Sequence, residues 1–177
     1  CWSVTASSGE EAFSLAMLLE HCGVKSWTVH ASDINTRVLQ ILAGGTYRRN
    51  SLRDDGRPWH RLLEIHARNQ GGLIEMAPAL RRRIITHHLN IHSPAPWPVP
   101  DNLDIVFFRN TLIYMPEANR RLALERIGAR VRPGGYLFVG VSEVPTVRPA
   151  GFSLVEGLPG SYCFRKLTQA ERETDQT

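Results

Sequence analysis

The chain has 177 residues, enough for one compact domain with a sizeable core, and its 42% hydrophobic and 21% charged residues are ordinary for a globular protein. Its net charge of +4 helps steer it toward an acidic partner but falls short of the dense basic stripe of a nucleic-acid binder. No apolar run approaches the roughly 20 residues of a membrane helix, no signal segment opens the chain, and Cys1, Cys22 and Cys163 stand far apart in no metal spacing, which suits a reduced, cytoplasmic setting.

Taken in order, Trp2 to Ala6 reads as a short strand, Ser7-Ser8-Gly9 as a small-residue turn and Glu10 to about His21 as a helix. A chain that opens at Cys1, directly in a strand, reads as a piece of a longer one. The helix buries Ala12, Leu15, Ala16 and Leu19, and Gly23 suits its C-cap. Its first residues, Glu10 and Glu11, complement the positive end of the helix dipole and make the turn a poor seat for a pyrophosphate. A ligand with hydroxyls and a positive charge fits better, and S-adenosylmethionine is one such ligand. The plainer alternative is a strand–helix turn with two solvated acids.

Trp27 to Asp33 is a second strand ending in an acid, and Ser32 or Asn35 caps a helix that stops at Gly44-Gly45. This β-α-β-α opening predicts an α/β fold with a parallel sheet and right-handed crossovers. Thr46 to Arg83 is less regular: a helix over Trp59–His66, a turn at Gly71-Gly72 and an alternating edge strand over Leu73–Met76. Residues of about 60–83 therefore read as a small β insertion. Ile84 to Ile91 is a third main strand, and Pro94, Pro96, Pro98 and Pro100 force a loop after it. Leu103 to Phe108 has the near-continuous apolar run of a strand buried on both faces. Pro116 starts a helix with Ala123, Ile127 and Val131 inward, and Arg132-Pro133-Gly134-Gly135 breaks it. Tyr136 to Val141 is the next strand, Phe152–Val155 and Ser161–Lys166 form a closing antiparallel pair, and 168–177 is a frayed polar tail.

An open α/β sheet binds its ligand at the carboxyl ends of its strands. Those ends offer Ser7 to Glu11, Asp33, Asn90-Ile91, Arg109-Asn110 with Tyr114 just beyond, and Gly140 to Glu143. Asp33, about 20 residues beyond the glycine turn, stands where a ribose is held by its hydroxyls; the alternative is that it only caps the following helix. The first turn lacks the full G-x-G-x-x-G pattern, which favours a ligand with one ribose over a dinucleotide. Asn90 is placed to bond an adenine amine, or else its own backbone. Arg109 and Asn110 end the most buried strand as candidate ligand contacts, the alternative being that the arginine serves a structural ion pair, and Tyr114 is either a site phenol or a packed ring. His87, His88 and His92 lie in strand and loop, which argues against a metal site, and Arg81-Arg82-Arg83 reads as a solvated turn. There is no nucleophile motif and no Walker-type loop.

Several stretches together resemble one family. They are Trp2-Ser3 with Ser7-Ser8-Gly9-Glu10-Glu11, Ala31 to Thr36, Gly45-Thr46-Tyr47-Arg48, Leu89-Asn90-Ile91, Phe108 to Tyr114, Arg132 to Phe138, and Gly140-Val141-Ser142-Glu143. In this order they are similar to the S-adenosylmethionine-binding domain of CheR-type chemotaxis methyltransferases, which methylate glutamates on bacterial chemoreceptors. The resemblance implies a class I, Rossmann-like methyltransferase sheet of about seven strands over residues 1–167, with the β insertion resembling a subdomain that in some members grips a receptor tail. It implies that Glu11 and Asp33 hold the cofactor, that Asn90, Ile91, Arg109 and Asn110 contact it, and that Tyr114 lies beside the transferred methyl. The family's N-terminal helical domain is absent from this sequence. Val141 stands where a histidine is common and Phe108 where a cysteine is common.

The implied reaction accounts for the missing catalytic dyad. A carboxylate is already ionised near neutral pH and needs no strong base to attack a sulfonium methyl; alignment and exclusion of water suffice. The expected function is methyl transfer from S-adenosylmethionine to glutamates in the cytoplasmic region of a chemoreceptor or a related signalling protein, with no nucleic acid bound and no membrane insertion. Two alternatives stand beside it: a non-catalytic cofactor-binding or receptor-docking module, and a nucleic-acid methyltransferase. The second lacks the Asn-Pro-Pro-Tyr type motif, with Arg109-Asn110-Thr111-Leu112 standing near that place.

Overall fold

A computed structural model describes residues 1–48, 59–147, 149–157 and 162–174. The chain alternates strand and helix as its periodicity requires. β1 (Trp2–Ser3), α1 (Glu10–His21), β2 (Val29–Asp33) and α2 (Thr36–Gly44) follow in turn. Next come β3 (Thr46–Arg48), α3 (Trp59–His66), β4 (Ala67–Gln70), β5 (Leu73–Met76), α4 (Pro78–Arg81) and β6 (Ile84–His88). The second half holds β7 (Leu103–Phe108), a 3-10 turn (Leu112–Tyr114), α5 (Glu117–Arg130), β8 (Val131–Val139) and a second 3-10 turn (Val141–Thr146). β9 (Phe152–Leu154), β10 (Tyr162–Lys166) and α6 (Gln169–Thr174) close the chain. The strands form one seven-stranded and one three-stranded sheet. Among the described residues no helix is long and apolar enough to cross a membrane.

The chain divides into two compact units: Cys1–Thr5 with Leu89–Thr177, and Ala6–His88. In the first, β1 and β8 flank β7 in parallel, and β8 continues antiparallel to β10, which pairs with β9. Its core holds Trp2, Val106, Phe108, Ile127, Val131 and Leu137, all almost wholly buried. Phe107 and Phe138 stack 4.5 Å apart on neighbouring strands, but β7 is not buried on both faces as its apolar run predicts: Leu103, Val106 and Phe108 are buried, whereas Ile105 and Phe107 are half-buried and Asp104 is exposed. α5 ends at Arg130, and Val131, expected on its inward face, opens the strand instead, so Arg132 to Gly135 lie within the strand and not ahead of it. The register jumps from Leu103↔Val131 to Ile105↔Tyr136, leaving those four residues as a bulge inside β8. Gly134 takes the positive φ that bulge needs, and Arg132 Nε anchors it 2.7 Å from Asp104 Oδ1.

In the second unit β2 pairs in parallel with β6, bringing Asp33 opposite His88. The small sheet has the order β3-β5-β4. Leu73–Met76 is therefore its central strand and not the edge strand that its alternation suggests; Thr46–Arg48, too short to read as a strand on its own, covers its other side. Gly71 and Gly72 both have positive φ, which closes the two-residue β4–β5 hairpin. β6 ends at His88, so Asn90 and Ile91 lie beyond the strand predicted to end with them. The tail is likewise more ordered than its composition suggests. Thr168 and Glu171 cap α6 reciprocally, and Arg165 pairs with Glu171. Ser161 and residues 175–177, included in the predicted closing pair and tail, lie outside the described residues.

Candidate functional site

In the second unit, the first turn is built by backbone geometry that only its small residues allow. Ser7 and Gly9 have φ of 49° and 97°. The Gly9 N–H donates to the Ala6 carbonyl at 2.9 Å, and the Ala6 N–H donates to Ser32 O at 2.8 Å. A side chain on Gly9 would bring its Cβ 2.4 Å from Leu42 Cγ, so α2 packs against the bare glycine. Asp33 joins the turn to the next helix. Its Oδ2 accepts the Ser7 N–H at 3.0 Å and its Oδ1 the Asn35 N–H at 2.9 Å, while Asn35 caps α2 through the Arg37 N–H. Asp33 therefore has the helix-ordering role that was one of its two sequence readings, and its carboxylate, with about four acceptor sites, retains lone pairs beyond these two bonds.

The two acids that open α1 are not equivalent. Ser8 Oγ lies 2.9 and 2.7 Å from the two carboxylate oxygens of Glu10, so Glu10 is tied into the turn. Glu11, the acid favoured from sequence, stands beside it in the first turn of the helix. Sequence reading assigned no role to Tyr47. Its ring packs edge-on against Phe13 at 5.9 Å and its hydroxyl donates to the Ser8 carbonyl at 2.7 Å. Burial, reinforced by the Glu10 charge, raises its phenol well above the usual range, which keeps it a donor.

The first unit carries the other predicted residues. Asn90 makes a local turn, its Oδ1 accepting the His92 N–H at 2.9 Å. That is the loop role weighed against ligand binding, and it leaves the amide's two donors and one lone pair for a ligand. The Ile91 side chain belongs to the core, so what it offers a ligand is backbone. Arg109 and Asn110 leave β7 on an exposed loop, Asn110 with φ of 58°. Tyr114 ends the 3-10 turn with 81% of its surface exposed, which settles the packed-ring alternative against it.

The loop from Asn110 to Leu112 is held by a residue that no site assignment from sequence named. Glu143 is 1% exposed, and its carboxylate accepts four backbone N–H bonds, from Asn110, Thr111, Leu112 and Gly140. The sequence marked Glu143 as a strand-end acid but gave no sign of what it faces.

The tempting features set aside from sequence have structural uses. Arg81 Nη1 donates to the Gly44 carbonyl at the end of α2, and Arg83 lies over Trp27 and beside Glu20. His87 stacks on His30, with His30 Nδ1 2.9 Å from His87 Nε2, and His88 Nε2 lies 3.0 Å from Ile34 O. Among the described residues no group of three or more His, Cys, Asp or Glu side chains is arranged to hold a metal.

The residues present suit a cationic nucleoside: an acid with spare acceptor sites at the end of β2, and carboxylates in place of a phosphate cradle at the mouth of α1. Comparison with known proteins agrees. A sequence model described as the CheR methyltransferase, SAM binding domain, matches residues 1–158. A chemotaxis protein methyltransferase of Klebsiella aerogenes is 35% identical over 150 residues, covering 80% of this chain and 50% of that protein. One of Escherichia coli is 34% identical over 148 residues, covering 80% and 51%. The probable biofilm formation methyltransferase WspC of Pseudomonas aeruginosa is 29% identical over 172 residues, covering 96% of this chain and 40% of its own length. The chain thus spans about half the length of the curated relatives it matches. In fold it resembles the N-methyltransferase NodS of Bradyrhizobium japonicum, solved with S-adenosyl-L-homocysteine (TM-score 0.55, 14% identity, covering 93% and 76% of the two chains). It also resembles an O-methyltransferase of Planctomyces limnophilus (TM-score 0.57, 15% identity, covering 94% and 50%).

Proposed function

This chain belongs to the CheR methyltransferase family as its S-adenosylmethionine-binding domain, and from that premise we propose that it serves methyl transfer to glutamate side chains in the cytoplasmic region of a chemoreceptor. The family match over residues 1–158 carries the proposal. Relatives that are chemotaxis protein methyltransferases, 34–35% identical over most of this chain, support a chemotaxis protein as the substrate.

S-adenosylmethionine supplies a methyl group on a sulfonium, ready for displacement. The protein's part is to bind, orient and exclude water. In this reading Asp33 holds the ribose hydroxyls through the lone pairs left after its bonds to Ser7 and Asn35. Glu11 balances the cofactor's positive charge. Asn90, Ile91, Arg109 and Asn110 add contacts, Ile91 through its backbone. The Tyr114 phenol, exposed and carried on a short helical turn, orients the incoming carboxylate against the methyl. A glutamate is already ionised at neutral pH, so no side chain need remove a proton first.

The test is transfer of radiolabelled methyl by the full chain to receptor cytoplasmic fragments, with binding of S-adenosylhomocysteine followed by calorimetry. Asp33→Ala is expected to weaken cofactor binding about tenfold or more by removing a charged acceptor. Tyr114→Phe is expected to leave that binding within about twofold and mainly slow transfer. Equal activity of wild type and both variants would sink the site assignment. Binding without transfer to any protein would favour a docking or cofactor-holding module.

A further inference from the structure

Glu143 is a costly residue to place where it lies. A carboxylate taken almost wholly out of water is tolerated only when its acceptor sites are filled. Here they are filled by backbone: Oε1 accepts Thr111 N–H at 2.8 Å and Leu112 N–H at 2.7 Å, and Oε2 accepts Gly140 N–H at 2.6 Å and Asn110 N–H at 3.1 Å. Three of the four donors are consecutive residues of one loop. That loop begins at the left-handed Asn110 and runs into the turn that carries Tyr114.

The surroundings are fitted to this contact. A Cβ on Gly140 would lie 2.6 Å from Glu143 Oε2 and 2.7 Å from Asn110 Oδ1, so the approach needs a glycine there. Thr111 is fixed a second time, its Oγ1 lying 2.7 Å from Thr5 Oγ1. An apolar side chain at this position would leave the Asn110, Thr111, Leu112 and Gly140 N–H groups without their acceptors, so the carboxyl ties the loop to one backbone arrangement rather than merely filling space.

We propose that Glu143 is a positioning residue for methyl transfer: it holds the Asn110–Leu112 backbone so that the Asn110 side chain and the Tyr114 phenol are presented in one geometry. It acts through three loop amides and touches neither cofactor nor receptor. The proposal rests on the function proposed above for Asn110 and Tyr114.

Glu143→Gln replaces one acceptor oxygen with an NH2 group that faces N–H donors, so two of the four bonds are lost. In the full chain the expected result is a folded protein whose amide exchange at Asn110, Thr111 and Leu112 rises about tenfold or more, while β7 and β8 keep their protection. At saturating S-adenosylmethionine, kcat is expected to fall about tenfold with KM for the receptor fragment within about threefold. Combined with Tyr114→Phe, the losses are expected to be less than additive, because the phenol has already lost its placement. A purely structural role would leave the two losses additive, and additivity, or kcat within about twofold of wild type, would overturn the proposal. If Glu143→Gln does not fold, Gly140→Ala, which keeps the carboxylate but displaces it, is read by the same measurements. If wild type methylates no receptor fragment, the function reading falls. The anchor is then judged on loop exchange and S-adenosylhomocysteine affinity, and no change in either would overturn it.

Discussion

At the scale of single residues, the turn after β1 depends on what lies behind it. Tyr47 reaches from β3 to give its hydroxyl to the Ser8 carbonyl, and the ring is buried against Phe13. Tyr47→Phe keeps the packing and removes one buried hydrogen bond, leaving a carbonyl short of a partner. A loss of about 1 kcal/mol in unfolding free energy is expected, together with weaker S-adenosylhomocysteine binding. Urea denaturation and calorimetry on the same variant separate the two, and unchanged affinity would mean that the turn keeps its shape without the tyrosine. Asp33 was legible as a candidate because an acid after a strand, at a set distance from a glycine turn, has two uses, holding a ligand's hydroxyls or ordering the next helix, and the second is seen in its bond from the Asn35 N–H. Tyr47 and Glu143 were not. Each acts across a long sequence separation on a backbone atom, and neither periodicity nor spacing records which main-chain group a side chain will meet.

At the scale of elements, α5 shows how a surface helix orders the loops around it. Arg126 lies over Trp97 at 4.1 Å, and its guanidinium donates to the carbonyls of Ile91, Ser93 and Ala95. Lys166 reaches from β10 to the carbonyls of Gly128 and Val131 at the other end of the helix. The prolines of this segment remove its own backbone donors, so its carbonyls take donors from a side chain instead. Arg126→Ala is expected to cost about 2 kcal/mol, by adding lost cation–π contact to unpaired carbonyls. Arg126→Lys is expected to restore less than half, because a single ammonium cannot spread over three acceptors as a guanidinium does. Thermal unfolding of the two variants checks this, and full rescue by lysine would refute the three-carbonyl account. Gly9→Ala tests the other helix contact. It is expected to cost about 2 kcal/mol or more, because the new methyl meets Leu42 and the backbone there has φ of 97°.

At the scale of the whole molecule, the alternation of strand and helix was readable from residue patterns. The three-stranded order of the small sheet was not, because Thr46–Arg48 has only three residues and finds its partner by tertiary packing. Stability against acid is a property of the same scale. His30 and His87 face each other across β2 and β6, stacked, sharing one hydrogen bond in which one ring nitrogen donates and the other accepts. Burial, and then the neighbouring His87, lowers His30 to about 4 from an ordinary 6.5, and burial lowers His87 as well. With both rings protonated every nitrogen is a donor and the bond is lost. Below pH 6.5 the unfolded chain therefore takes up protons that the folded chain refuses, so stability falls as pH drops from about 6.5 toward about 4. Glu171 acts in a lower window. Its bond from Arg165, with those from Thr168, holds it at about 2 against an ordinary 4.5, so its contribution is present above 4.5 and is lost on further acidification. Urea denaturation at steps from pH 7.5 to 4.5 is expected to fall steadily in wild type and to be visibly flatter in a His87→Phe variant, which keeps a stacked ring without a second titrating group. The same slope in both proteins would mean that the acid sensitivity arises elsewhere.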